Sequence, residues 1–150
     1  MVHELGLSDL RAVLVVEDSA DDYDTVVEAA ARAGIGNRLV RAADADATQQ
    51  HLDRNPHDDF AFVLLDYNLP GMDGLTLLKS LRLQARWSHL PVVVYTTSVN
   101  PRDRDAFYAA GANAYHVKTI RYAACLQSLQ GIFRYWLGHV SLPAQTLRLV

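Results

Sequence analysis

Short, uninterrupted apolar runs alternate along this chain with longer amphipathic ones. Ala12 to Val16 is a valine-rich run too short for a helix, and it reads as a strand buried on both faces. Asp22 to Ala33 is alanine-rich and of helical length, with Gly34 and Gly36 behind it as stop signals. Arg38 to Ala42 is a weaker strand candidate. Ala45 to Leu52 reads as a short helix with Asp44 as its cap. Phe60 to Leu65 is a second buried strand, ending in Asp66, and the stretch from Asn68 to Gly74 is loop by composition. Leu75 to Leu83 is a helix that can offer Leu75, Leu78 and Leu81 or Leu83 to a core. Val92 to Tyr95 is a third buried strand. Asn100 caps, and Pro101 opens, a helix that reaches Ala110. Ala114 to Val117 is the last strand. The last helix runs from about Ile120 to Leu137, and Gly138 closes it.

Five strand-then-helix units in this order predict an α/β protein with a doubly wound, five-stranded parallel sheet. An extended last helix and a tail follow. In such sheets ligands sit at the carboxyl ends of the strands. Glu17 and Asp18 follow the first strand, Asp66 the third, Thr96 the fourth and Lys118 the fifth. All should therefore emerge on one rim.

Composition adds limits. The chain has 150 residues, half of them apolar, enough for one domain with a sizeable core. A net charge of −3 offers no broad basic field for nucleic acid. The lone Cys125 excludes an intramolecular disulfide and a cysteine-rich zinc site. The first ten residues lack the features of a signal peptide, and no apolar run nears the roughly 20 residues that span a bilayer. The sequence reads as a soluble cytoplasmic protein.

The rim residues suggest a specific chemistry. Any one of them could merely cap a strand or helix, but like charges gathered without a ligand are costly. Clustered carboxylates suit a hard cation such as Mg²⁺. A carboxylate can attack phosphorus to give an acyl phosphate, with a cation, a lysine and a hydroxyl to stabilise the phosphoryl oxygens. Asp21, Asp22 and Asp24 suit the first turn of a helix and add negative field nearby.

These residues, with Asp66 set in Leu64-Leu-Asp-Tyr-Asn-Leu-Pro-Gly-Met-Asp-Gly74, resemble the receiver domains of two-component response regulators over about Arg11 to Leu137. The resemblance implies a flavodoxin-like fold with Asp66 as phosphoacceptor. It implies a Mg²⁺ site made by Glu17, Asp18, Asp66 and the backbone carbonyl of Asn68. It implies a switch hydroxyl at Thr96, a phosphoryl-pairing lysine at Lys118 and a rotating aromatic at Tyr115. It also implies a sensor histidine kinase as donor, with the chain catalysing its own phosphorylation and at most a slow autodephosphorylation. Thr97 should point away from the site, by strand alternation. Lys118 is followed by Thr119, where most receivers have a cis-linked proline. A cis bond there would cost about 2.5–4 kcal/mol, so the loop is expected to differ. Val92 to Ser98, Ala109 to Tyr115, Phe133 to Leu137 and Leu142-Pro143 are similar to the regulators paired with phytochromes, including bacteriophytochromes.

Beyond Leu137 too few residues remain for a DNA-binding module, so a stand-alone receiver is expected: an N-terminal extension over 1–10, the receiver over 11–137 and a tail over 138–150. The last helix and tail carry surplus apolar surface, including Leu147, Leu149 and Val150. Homodimerisation through Tyr122, Phe133, Trp136 and Leu142 is expected over a tail folded on its own core. Two other functions compete. A phosphatase of the haloacid-dehalogenase type would want an aspartate where Asn68 stands and its nucleophile after the first strand. A phosphorylation-silent binding module would not need the acidic set.

Overall fold

The computed structural model describes residues 5–6, 9–54, 60–144 and 148–149. Its strands are β1 (Leu5–Gly6), β2 (Ala12–Val16), β3 (Leu39–Ala42), β4 (Phe60–Leu65), β5 (Val92–Thr96), β6 (Ala114–Val117) and β7 (Arg148–Leu149). Its helices are α1 (Ala20–Arg32), α2 (Ala45–Arg54), α3 (Gly74–Leu83), α4 (Pro101–Ala109) and α5 (Tyr122–Gly138). Five strands form one parallel sheet in the order β3-β2-β4-β5-β6. The order reverses direction at β2, so the chain winds first one way and then the other. That reversal opens a crevice at the carboxyl ends of β2 and β4.

The central strands are apolar throughout because both faces are covered. Leu14, Val16, Val63, Leu65, Val92 and Val94 face Leu52 of α2, Leu78 and Leu81 of α3 and Phe107 of α4. Val13, Val15, Phe62, Leu64 and Val93 face Val26 and Ala29 of α1 and Leu126, Leu129 and Phe133 of α5. Each fully buried Leu or Phe contributes about 1.5–3 kcal/mol. Strand positions of alternating parity thus serve opposite layers, and this parity later separates Thr96 from Thr97.

Several boundaries differ from expectation for local reasons. Helix α1 starts at Ala20 because the Ser19 side chain accepts from the Asp22 amide at 3.2 Å and caps it. Asp44 caps α2 as expected, accepting from the Ala47 amide at 2.8 Å. Helix α5 starts at Tyr122, since Arg121 is extended and Ile120 stands out in solvent. In α3 the core takes Leu77, Leu78 and Leu81, and Leu83 is exposed. Trp87, unexplained by sequence pattern, is buried in a short turn of 3₁₀ helix with the Arg86 guanidinium over its ring.

The tail corrects an expectation. Phe133 is wholly buried against the sheet and Leu142 is 95% buried in the same layer. Neither can face a second chain without unfolding its own core. Arg11 donates to the Pro143 carbonyl at 3.0 Å, and β1 pairs antiparallel with β7. Leu142 and Pro143 are therefore held on the domain, and the segments 5–6 and 148–149 pair with each other. Leu147 and Val150, part of the expected apolar surplus, lie outside the described residues, and only the backbone of Leu149 is described. Trp136 is half-buried against Phe62, and Tyr122 remains half-exposed.

Arg82 ties the end of α3 to the far side of the sheet. Its guanidinium donates to the carbonyls of Trp87 (2.9 Å), Leu90 (2.7 Å) and Gly111 (2.8 Å) and to Asn113 Oδ1 (3.1 Å). Asn113 Oδ1 also accepts from the Val92 amide at 2.8 Å, which fixes the start of β5. Arg82→Met keeps the stem but leaves these acceptors unmet. Urea denaturation should show a loss of about 2–4 kcal/mol.

Candidate functional site

Glu17, Asp18 and Asp66 meet just beyond the ends of β2 and β4. Main-chain pairing runs one residue past each strand and holds them there. The Glu17 amide donates to the Ala42 carbonyl at 3.0 Å, and the Asp66 amide to the Val16 carbonyl at 3.1 Å. One carboxylate oxygen from each of the three lies within 4.8 Å of the others. Glu17 and Asp66 are buried and Asp18 is exposed, so the cluster has a floor and an open mouth.

Lys118 supplies the opposing charge. Its Nζ lies 2.6 Å from Glu17 Oε1, 3.2 Å from Asp22 Oδ2 and 3.3 Å from Asp66 Oδ2. Burial alone would lower its pKa. The Glu17 hydrogen bond and the charges of Asp66, Glu17 and Asp22 outweigh that and raise it, so the ammonium persists at neutral pH. Burial, above all, pushes the Glu17 carboxyl up to about 7 against the pull of Lys118, with the Asp66 charge adding to the rise. One ammonium faces three clustered carboxylates and Asp22. That set, all hard oxygen donors, fits a divalent cation such as Mg²⁺ or Mn²⁺.

The other expected residues surround this cluster. The Lys118 amide donates to the Thr96 carbonyl at 2.7 Å, which joins the ends of β5 and β6. No cis peptide occurs among the described residues, so Lys118-Thr119 is trans, and Lys118 reaches the carboxylates all the same. Thr96 is fully buried and Thr97 is exposed, as the alternation predicts. The Asn68 amide approaches Asp66 Oδ1 at 3.4 Å from an exposed loop. Tyr115 packs on Phe107 and donates its hydroxyl to the Ser98 carbonyl at 2.9 Å. It thereby grips the loop that leaves Thr96.

A family model of the response regulator receiver domain matches residues 13–130. The chain belongs to this family. It is 33% identical over 138 residues to the response regulator Rcp1 of Synechocystis sp., covering 89% of this chain and 94% of that protein. The Mn²⁺-bound form of Rcp1 superposes with a TM-score of 0.81, over 89% of this chain and 99% of that one. The phosphorylated cyanobacterial phytochrome response regulator RcpA gives 0.82 at 28% identity, over 91% of this chain and 100% of that one. A response regulator in red light signaling of R. palustris gives 0.79 at 31% identity, over 91% and 100%. Receivers of two-component systems work with sensor histidine kinases and bind a divalent metal at such an acidic cluster. Among the described residues, no helix is long and apolar enough to cross a membrane.

Three residues of this receiver's site escaped the sequence pattern. Arg41 on β3 donates to the Glu17 carbonyl at 3.1 Å and the Asp18 carbonyl at 2.7 Å, so it clamps the acidic loop from outside. Its guanidinium also lies over the Tyr23 ring. No periodicity marks it, because it sits in the weakest strand. The sequence marks Asp22 as a first-turn charge that adds negative field nearby, and the structure shows it bound directly to Lys118. By composition Gly74 reads only as loop. A Cβ there would stand 2.2 Å from the Asp66 carbonyl oxygen, so α3 can start this close to Asp66 only with glycine. Gly74→Ala should cost about 1–3 kcal/mol in thermal or urea unfolding. It should also weaken Mg²⁺ binding, measured by fluorescence titration, since relief of the clash must shift Asp66.

Proposed function

We propose that this receiver accepts a phosphoryl group on Asp66 from a phosphohistidine of a sensor histidine kinase and signals through the resulting rearrangement. The observation that carries the reading is Asp66 itself: a buried carboxylate with Lys118 at 3.3 Å, inside a three-carboxylate cluster. An Asp66 carboxylate oxygen attacks phosphorus, the P–N bond to the donor histidine breaks, and that imidazole leaves with the bonding pair. Glu17, Asp18, Asp66 and the Asn68 carbonyl would hold Mg²⁺, which would offset charge on the phosphoryl oxygens. Lys118 then exchanges its carboxylate partners for a phosphoryl oxygen. Thr96 offers its hydroxyl from the neighbouring strand end, and Tyr115 follows the loop it holds at Ser98.

The likeness to the phytochrome response regulator RcpA and to the R. palustris regulator of red light signaling supports a phytochrome kinase, including a bacteriophytochrome, as the donor. On this reading the protein works in the cytoplasm. The receiver unit spans 11–137, with 1–10 and 138–150 as flanking segments. A homodimer built on α5 would use Tyr122, Tyr135 and the open side of Trp136, since Phe133 and Leu142 are taken by the core. The chain turns over no free substrate on this reading.

With Mg²⁺ and a small phosphodonor, intact-mass spectrometry should show one phosphoryl adduct per chain, absent in Asp66→Asn. Multiple turnover of phosphate esters would contradict the reading, as would no adduct in wild type. Thr96→Ala should accept phosphate to the same extent yet lose the spectral change at Tyr115 in heteronuclear NMR. A wild-type response in that variant would remove Thr96 from the switch.

A further inference from the structure

Beside Lys118 lies a cavity of about 320 Å³ lined by Asp22, Tyr95, Thr97, Lys118, Thr119 and Cys125, among others. Two of its groups have no role in phosphoryl transfer. The first is Tyr95, 95% buried, whose hydroxyl has no hydrogen-bond partner among the described residues. Buried hydroxyls are nearly always satisfied, so an unmatched one lining a cavity marks a place for an added polar atom. The second is Cys125, the sole cysteine, which faces that hydroxyl without making a hydrogen bond. Lys118 connects the two, with its Nζ 5.5 Å from the centre of the Tyr95 ring.

We propose that Cys125 is a hydroperoxide-sensitive thiol, oxidised to the sulfenic acid inside the cavity it shares with Tyr95 and Lys118. Cys125 is in the first turn of α5, where its amide donates to the Arg121 carbonyl at 3.0 Å. A helix N-terminus and a nearby ammonium both favour the thiolate. At rest the thiol donates to the Thr119 carbonyl at 2.8 Å, with Thr119 Oγ1 at 3.5 Å. Burial disfavours ionisation, but the neighbouring hydroxyls of Thr119 and Tyr95 and the charge of Lys118 outweigh it and lower the thiol pKa. On ionisation the sulfur attacks one oxygen of the hydroperoxide. The S–O bond forms, the O–O bond breaks, and the departing hydroxide or alkoxide takes the proton the thiol released. Sulfur gives up two electrons, and the peroxide is reduced to water or an alcohol. The new oxygen then accepts from the Tyr95 hydroxyl. With no second cysteine in the chain, the product cannot close an internal disulfide.

The inference stands apart from phosphate acceptance by Asp66 and is tested without it. The reduced full-length protein is treated with hydrogen peroxide and dimedone, and the adduct is followed by mass spectrometry with peptide mapping. One adduct on Cys125 is expected, absent in Cys125→Ser. It should form about tenfold faster than on glutathione at the same pH, as a depressed thiol pKa implies. Tyr95→Phe keeps the ring and removes only the unpartnered hydroxyl. With the circular dichroism spectrum unchanged, it should slow the adduct severalfold. A wild-type rate no greater than that of glutathione would overturn the proposal, as would an unchanged rate in Tyr95→Phe.

Discussion

The Lys118 ammonium, set among Glu17, Asp22 and Asp66, is the interaction on which the site depends. Two buried carboxylates at adjacent strand ends repel each other in a poorly solvated place. Lys118 relieves that repulsion and is itself kept charged by it. Its charge is too small for the whole set, because Asp18 and Asp22 add to the same field. The arrangement is therefore stable enough to fold and still short of positive charge. A divalent cation would bring more positive charge than a transferred phosphoryl group brings negative, and on the proposed function Lys118 would pass from carboxylate to phosphoryl oxygen.

Topology makes this possible. The winding reversal beside β2 brings the ends of β2 and β4 together, and the ladder carries one residue past each strand. Gly74 lets α3 begin against the Asp66 carbonyl, and Arg41 pins the Glu17-Asp18 backbone from β3. These contacts leave the reacting carboxylates only small freedom. On the far side Tyr115 links the loop after Thr96 to Phe107 of α4, the route by which the proposed movement at Thr96 would reach an outer face.

The fold was legible in the sequence because β2, β4 and β5 are continuous apolar runs, which only a sheet covered on both faces requires. The acidic rim was legible because each residue follows such a run directly. Less visible were contacts set by three-dimensional approach. Arg41 looks like an ordinary exposed charge, and its role depends on β3 pairing beside β2. Gly74 looks like one more loop glycine until α3 is placed against Asp66. The tail misled for a related reason. Apolar spacing in α5 counts the surface to be covered but does not say what covers it. Here Leu142 turns back to the layer that holds Phe133, which leaves less apolar surface for a second chain than the spacing suggested.

On the proposed function, Lys118 serves as exchangeable counter-charge between the carboxylates and a phosphoryl group. A crystal structure of the protein with Mg²⁺ and beryllium trifluoride tests it most directly. The account predicts fluoroberyllate on Asp66, Lys118 Nζ within hydrogen-bond distance of a fluorine and the Lys118–Glu17 bond of 2.6 Å broken. Fluoroberyllate on Asp66 with Lys118 still bound to Glu17, or metal bound and Asp66 unmodified, would contradict it.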